Sequence, residues 1–429
     1  YVALYAWGDC YVGGITPDPN GSYKQEKPMY RSNDPKQPIE SILGDIGPIN
    51  AGDENPIAQV PDVTPEMWKE IVTRHFPNSV PVVEACLANC CSLLLQDLSN
   101  CPALVLIGPP SSSKTTVLEF LDTHVIFPTD SFTPRAFVSH SANVEKSKLA
   151  TEVDLLPRIR HKMMVVKDLS PMFSKRADDV KEGMGVMTRV LDGRGYASDS
   201  GAHGHRGYSG DYVFGFLAAT TPLGRNIWEM MSTLGPRLLF LQVEPEIETE
   251  AEQLWKLLSV VSYREKVEEC RVAVSEYMDH LWERHGGIRG LEWDRQADDR
   301  ERTMELVRLA NLGSALRGQP ARENADPSLD EYHFSPAIVE GSDRYRSMLY
   351  NLARGHAISE GRVQLDLSDV KMAADVTLSS GTPMKARLLK SVLLSAEPLN
   401  ITQLAAATGA SDPTVNVAVG QMSESGCCQ

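Results

Sequence analysis

The chain has 429 residues, of which 42% are hydrophobic and 23% charged, a composition typical of a globular protein with two or more domains. Its formal net charge of −15 argues against a surface that coats nucleic acid non-specifically, but it is compatible with a ring whose inner loops are locally basic. Because the sequence contains neither an apolar stretch of membrane-spanning length nor a signal-peptide pattern, we expect a cytoplasmic protein without membrane contact. Because it begins with Tyr1, we expect a fragment of a longer chain.

The eight cysteines follow no zinc-binding spacing. Three of them, Cys86, Cys90 and Cys91, lie in an apolar helical pattern, which predicts buried, reduced thiols.

Residues 1–60 are rich in Gly, Pro, Asn and Asp and predict loops with a few short strands. Two helices are predicted next, in "TPEMWKEIVTRHF" (64–76), which opens with a Thr-Pro start signal, and in "VPVVEACLANCCSLLLQDL" (80–98). Strands and helices then alternate, as expected for a three-layer α/β fold. The predicted strands are 103–107, 135–140, 162–166, 212–222 and 237–244, and a glycine-terminated helix is predicted at 180–193. Helical patterns cover 245–320, 335–380 and 383–425.

The segment "LIGPPSSSKTT" (106–116) has the arrangement of a phosphate-binding loop between a buried strand and a helix. Such a loop needs converging backbone N–H groups, a lysine that reaches the phosphates and a hydroxyl for Mg²⁺. The predicted nucleotide-binding residues are Gly108, Pro109, Pro110, Ser111, Ser112, Ser113, Lys114, Thr115 and Thr116. The usual pattern G-x-x-x-x-G-K-[ST] has glycine where this chain has Ser113, and serine in the glycine conformation costs roughly 1 kcal/mol or more. The alternative is an ordinary polar turn.

The order and spacing of these motifs resemble the AAA+ ATPases and, among them, the minichromosome maintenance (MCM) helicases, over about 100–240 and 335–425. The resemblance implies a three-layer α/β core at 61–244, a helical insertion or linker at 245–334, a helical lid at 335–380 and a winged-helix-like module at 381–429. It also implies ATP and Mg²⁺ as cofactors.

In that family a buried strand ends in Asp-Glu, and "MMVVKDLSPMF" (163–173) occupies this position, with Lys167 in place of the first carboxylate. By resemblance, Asp168 would activate the attacking water, and Thr115 and Asp168 would hold Mg²⁺. Fast hydrolysis is not expected from a single carboxylate. Asp154 is the nearest alternative acidic position.

The segment 191–222 resembles the helix, DNA-contacting β-hairpin and sensor strand of these ATPases, with Thr221 at the sensor position. The hairpin carries the predicted nucleic-acid contacts Arg194, His203, His205 and Arg206. The alternative is a flexible surface hairpin with incidental charges.

Two further arginines match family positions. Arg237 precedes an apolar strand, as does the family's arginine that reaches a neighbouring subunit's nucleotide. The resemblance therefore implies a homo-oligomeric ring, with a hexamer as the expected form. A local ion pair is the alternative. Arg344 matches the second sensor, with Arg346 as the fallback if the helix phase shifts.

The segment 399–426 has a helix-turn-helix pattern, with Gly409 at the turn. Its second helix lacks Lys and Arg, so a protein-contact role is at least as well supported as DNA reading. Two functions follow: an MCM-like ring motor on DNA, or a slowly hydrolysing nucleotide-gated assembly switch of a mobile-element or defence scaffold.

Overall fold

The computed structural model describes residues 63–139, 148–200, 204–235, 237–245, 248–320 and 334–427. The chain divides into two compact units, Tyr1–Pro61 and Asp62–Gln429. The loops and strands expected in 1–60 lie outside the described residues, so the fold that follows is that of the second unit.

A parallel five-stranded sheet forms the centre of this unit, with the strand order β2-β3-β6-β1-β7. Its strands are β1 (Ala103–Ile107), β2 (Ile126–Thr129), β3 (Met163–Val166), β6 (Gly215–Thr220) and β7 (Leu239–Gln242). A separate antiparallel hairpin is formed by β4 (Gly195–Ser200) and β5 (Gly204–Ser209). Because β1 lies between β6 and β7, its carboxyl end is flanked on both sides by neighbouring strands.

Fifteen α-helices are present in the described residues. They are α1 (Pro65–His75), α2 (Val80–Cys91), α3 (Lys114–Glu119), α4 (Leu155–Ile159), α5 (Ser170–Phe173), α6 (Ala177–Val190), α7 (Arg225–Leu234), α8 (Glu250–Leu257), α9 (Tyr263–Arg284), α10 (Arg300–Arg317), α11 (Ser342–Ser359), α12 (Leu367–Ser379), α13 (Pro383–Leu394), α14 (Ile401–Thr408) and α15 (Asp412–Glu424).

Each face of the sheet packs against its own layer of helices. In β1 the side chains of Leu104 and Leu106 join the core under α1, α2, α3 and α9–α12, whereas Val105 and Ile107 join the core under α4, α6 and α7. This alternation is the period-two pattern of a strand that is buried on both faces. The α/β class with a parallel sheet between helices is therefore as the sequence predicts.

One predicted strand is wrong. Residues 135–139 do not form a strand, because a 3₁₀ turn at Pro134–Ala136 begins with proline, and residue 140 lies outside the described residues. The sheet is completed instead by β2, which lacks a local strand signal because it contains Pro128. Proline has no backbone N–H to donate to a sheet ladder, and β2 tolerates it because it pairs with β3 alone, at the edge of the sheet.

The helix expected to open a lid, α11, packs closely along α2. A Cβ on Gly355 would overlap the Ala88 carbonyl, so glycine is needed at this crossing. The Ser92 hydroxyl donates to the Asn351 carbonyl at 3.0 Å and links the same two elements. Helices α11 and α12 thus belong to the helical layer on one face of the sheet.

The C-terminal helices α13–α15 enclose a small core of their own, with Leu388, Leu404 and Val415 at its centre. Gly409 ends α14 with φ +67°, as the helix-turn-helix pattern requires. The described residues 383–427 contain no strand, so the expected wing is not found there. A Cβ on Gly420 in α15 would meet the ring of Phe334, so the second helix of this module packs back against the body of the molecule.

None of the described helices is long and apolar enough to cross a membrane. Cys86, Cys90 and Cys91 are buried free thiols, as predicted, and burial raises the pKa of Cys90 to about 12.

Candidate functional site

The loop between β1 and α3 closes around the side chain of Lys114. Its Nζ donates to the carbonyls of Gly108 at 2.8 Å and Pro109 at 2.7 Å, and to the Ser112 hydroxyl at 2.9 Å. The Ser112 hydroxyl in turn donates to the Pro109 carbonyl at 2.9 Å. A Cβ on Gly108 would overlap the Val243 carbonyl, so the loop passes tightly against the end of β7. Lys114 is therefore held at the centre of a compact loop of oxygen atoms.

Two serines in this loop adopt the left-handed conformation that favours glycine, Ser111 with φ +63° and Ser113 with φ +59°. Ser113 directly precedes α3, where the usual loop pattern has glycine. The loop thus keeps the backbone path typical of glycine with serine in its place.

Asp168 lies close enough to Lys114 for their charges to interact. Burial lowers the pKa of Lys114, and the Asp168 carboxylate acts in the opposite direction. Asp168 is exposed, and its Oδ1 accepts a hydrogen bond from the Ser170 backbone N–H at 2.9 Å. Lys114 and Asp168 both lie beyond the carboxyl ends of the strands, after β1 and β3.

Thr221 directly follows β6 and lies at the carboxyl end of that strand. Its Oγ1 lies 3.1 Å from the Ser170 hydroxyl, and its backbone N–H donates to that hydroxyl at 3.2 Å. Since β3 and β6 are adjacent and parallel, their carboxyl ends place Asp168 and Thr221 side by side. Ser170, which the sequence analysis did not select, joins the two positions.

Lys167 forms an ion pair with Glu119 on α3, with Nζ 3.3 Å from Oε1. Both side chains are partly exposed, at 37% and 41%. Because the two residues are 48 positions apart in the chain, no local sequence pattern indicates that Glu119 belongs to this site.

The two threonines after Lys114 have different surroundings. Thr115 is exposed at the start of α3. Thr116 Oγ1 lies 2.6 Å from the hydroxyl of Tyr263, at the start of α9. The loop is thereby linked to the helical region that follows β7.

Arg237 lies at the amino ends of the strands, whereas the loop lies at their carboxyl ends. It precedes Leu239, which is paired with Leu104 of β1, so Gly108 is about 20 Å further along the strand direction. Its Nε donates to Asp192 Oδ1 at 2.9 Å, and its Nη1 donates to the Gly235 carbonyl at 3.1 Å. The local ion pair that was the alternative is present, and the role in a neighbouring subunit stays a prediction.

Arg344 also lies at the amino ends of the strands, beside Gly235. Its Nη1 lies 3.5 Å from the position that a Cβ on Gly235 would take, and the side chain is exposed. Within one chain the structure therefore does not bring Arg344 to the loop. Arg346, the fallback, forms an ion pair with Asp343 at 2.5 Å.

The hairpin is fastened to the body of the molecule through Asp154. The Asp154 carboxylate is fully buried and accepts from Arg206 at 2.8 Å, from the Tyr208 hydroxyl at 2.7 Å and from the Ser139 N–H at 2.8 Å. Asp154 is thus committed to this network, which corrects its selection as the alternative catalytic carboxylate. Arg206 is 20% exposed, and its use as a phosphate contact stays a prediction.

The other predicted hairpin contacts differ from Arg206. Arg194 is exposed at the base of β4, and His205 is exposed with its Nδ1 3.1 Å from Asp199 Oδ1. His203 lies outside the described residues. Glycine is needed in the hairpin itself, since a Cβ on Gly207 would overlap Ala197 on the paired strand.

No protein-family model matches the chain. The search of curated proteins also gave no match.

Proposed function

We propose that the chain binds ATP in the loop 108–116 and belongs to the AAA+ ATPases of the MCM-like branch, acting on DNA. The observation that carries this proposal is the convergence of Lys114, Asp168 and Thr221 at the carboxyl ends of three adjacent parallel strands. Ligands of open α/β sheets bind beyond the carboxyl ends of the strands. A lysine, a carboxylate and a hydroxyl there supply phosphate binding and the orientation of a water molecule.

Hydrolysis would divide its tasks among these residues. Lys114 would exchange its bonds to the loop carbonyls for bonds to phosphate oxygens, which are stronger because both partners are charged. Asp168 would accept the proton of the attacking water, and Thr221 would orient that water. Mg²⁺, which the family resemblance implies, would find Thr115 and Asp168 as protein ligands, with Lys167 beside them. This donor set fits the ion poorly.

A homo-oligomeric ring, with a hexamer as the expected form, is supported by the separation of Arg237 and Arg344 from the loop. Both arginines lie at the amino ends of the strands, and Lys114 lies at the carboxyl ends. They can therefore act only on a nucleotide bound by another copy. Large apolar side chains are exposed on α8, on the segment that follows it and at the start of α9: Leu254, Leu257, Leu258, Val260, Val261 and Tyr263. Of these, Tyr263 contacts Thr116 of the loop. A second copy of the chain would cover this surface while it brings its arginines to the nucleotide.

DNA contact is proposed for the tip and base of the hairpin. The exposed Arg194 and His205 suit phosphate contacts, and the network around Asp154 would fix the hairpin's direction. In α15 the lack of basic residues and the packing against Phe334 favour a protein contact over DNA reading.

The second candidate function is a nucleotide-gated assembly switch that hydrolyses ATP slowly. Lys167 in place of a carboxylate and serine at φ +59° favour it. A steady-state ATPase assay with and without single-stranded and duplex DNA separates the two functions. DNA-stimulated turnover supports the motor, whereas ATP binding without turnover supports the switch. Absence of both binding and turnover would contradict the proposed function.

A further inference from the structure

Lys167 brings a positive charge to the carboxyl ends of the strands, where the nucleotide phosphates are proposed to lie. It follows β3 directly, and its backbone N–H donates to the Thr129 carbonyl at 3.0 Å, which continues the β2–β3 ladder by one residue. Its backbone position is therefore set by the sheet. The side chain is free of the core and partly exposed, so its ammonium can change partners.

The present partner of Lys167 lies on the same helix as the proposed phosphate-binding residues. Glu119 is four residues after Thr115 on α3, so the two side chains share one face of the helix. At 1.5 Å per residue they are about 6 Å apart along the helix axis. The lysine has a flexible four-carbon stem, so its ammonium is able to exchange Glu119 for another partner near α3.

The groups around this position do not form a protein-held magnesium site. Mg²⁺ prefers an octahedron of oxygen ligands that includes one or two carboxylates. Asp168 offers one carboxylate here, and its Oδ1 already accepts the Ser170 N–H. Among the residues that the structure describes, no group of three or more His, Cys, Asp or Glu side chains is arranged to hold a metal ion. Lys167 adds a cation where a second carboxylate would be needed.

We infer that Lys167 neutralises the nucleotide phosphates in place of a divalent cation, so that ATP binds to this chain without Mg²⁺. The inference rests on the proposed ATP site. When the nucleotide binds, the Lys167 ammonium leaves Glu119 and donates to a phosphate oxygen next to Lys114 and Thr115. Two lysines, rather than one lysine and a metal ion, then balance the phosphate charge.

The test is the affinity of the full chain for ATP, measured by isothermal titration calorimetry in EDTA and again in excess MgCl₂. We expect the two dissociation constants to agree within a few-fold. Binding that requires Mg²⁺ would overturn the inference and leave the proposed ATP site intact. Failure to bind under both conditions would overturn the ATP site as well.

Three variants identify the residue responsible. In EDTA, Lys167→Met should weaken ATP binding on the order of ten- to a hundredfold, the equivalent of one charge-assisted hydrogen bond. Glu119→Gln should strengthen binding, because it removes the competing partner of the lysine. Lys162→Met is the matched control, since Lys162 precedes β3 at the opposite end of the strand, and it should leave the affinity unchanged. Equal losses in Lys167→Met and Lys162→Met would contradict the assignment.

Discussion

Ser113 is the residue at which the loop departs most from a usual phosphate-binding loop. Its backbone has φ +59° and ψ +8°, a left-handed conformation in which a Cβ is unfavourable. The neighbouring Ser112 is not among the residues with positive φ, and its hydroxyl takes part in the bonds around Lys114. Replacement by glycine should therefore change the stability of the protein differently at these two adjacent serines.

We predict that Ser113→Gly stabilises the protein and Ser112→Gly destabilises it. Relief of the left-handed conformation should raise the free energy of unfolding by roughly 1 kcal/mol for Ser113→Gly. The same substitution at position 112 removes hydrogen bonds and adds backbone entropy to the unfolded state. Urea denaturation of both variants measures the difference. A loss of stability in Ser113→Gly would show that the serine makes contacts that outweigh its backbone conformation.

Asp168 should support hydrolysis rather than binding. Asp168→Asn keeps the shape of the side chain and the acceptor for the Ser170 N–H, but it removes the charge that would attract a proton from water. Turnover should fall on the order of a hundredfold or more, while ATP affinity changes little. Single-turnover kinetics with a parallel binding titration checks this. Turnover at the parent rate would move the catalytic carboxylate elsewhere, and Asp154 is not available because it is buried in the hairpin network.

The β4–β5 hairpin has one strand hydrogen-bonded to the body of the molecule and also carries exposed basic residues. Arg206 and Tyr208 on β5 bind the buried Asp154, and Tyr208 also packs on Tyr212 with ring centroids 5.5 Å apart. Burial, together with the hydrogen bond to Asp154, raises the pKa of the Tyr208 hydroxyl, so it remains a donor at neutral pH. Arg194, by contrast, points to solvent and is available to a ligand.

This difference predicts distinct effects of two alanine substitutions on DNA binding. Arg194→Ala should weaken binding and reduce the salt slope by about one unit, the change expected for one lost phosphate contact. Arg206→Ala should mainly lower stability, because it leaves a buried carboxylate without its charged partner. Fluorescence anisotropy over a salt series, together with thermal unfolding, separates the two. Identical DNA affinity and salt slope in the parent and Arg194→Ala would contradict the DNA role of the hairpin.

The helices and most strands were predictable because their signals are local. The Thr-Pro start of α1, the apolar run of β1 and the glycine after α6 each specify their element within a few residues. The strand β2 was not predictable in this way, because its proline is tolerated only through its place at the edge of the sheet.

The candidate site was predictable in part. The loop motif identified Lys114, since its chemistry depends on consecutive residues. The partners of Lys167 and Arg206 could not be found, because Glu119 and Asp154 are 48 and 52 positions away and only the folded chain brings them together.

The two halves of the proposed catalytic site lie at opposite ends of the strands of one sheet. A complete site would therefore need two copies of the chain, with Lys114 from one and Arg237 from the other. Arg237 is bound to Asp192, so a catalytic role and a structural role must be separated by experiment. Arg237 is 12% and Asp192 31% exposed, so loss of the pair should cost some stability, and thermal unfolding of each variant checks that it is folded.

We predict that mixing two inactive variants restores part of the ATPase activity. Arg237→Ala should lose activity on the order of 10³-fold if the arginine acts on a neighbour's nucleotide, and Lys114→Ala should be inactive. A mixture contains interfaces that pair an intact Lys114 with an intact Arg237. Asp192→Asn, which breaks the ion pair but keeps the arginine, should remain active. A monomeric mass by light scattering with ATP present, and no recovery at any ratio, would leave Arg237 with its structural role alone.

Equilibrium binding of ATP to Lys114→Ala shows whether Lys114 and its loop hold the nucleotide. Lys181→Ala, which removes an exposed lysine on α6, serves as the control for net charge. We expect ATP to bind to the parent and to Lys181→Ala with equal affinity, and binding to Lys114→Ala to fall below detection. Equal affinity of the parent and a correctly folded Lys114→Ala variant would show that ATP does not bind at this loop.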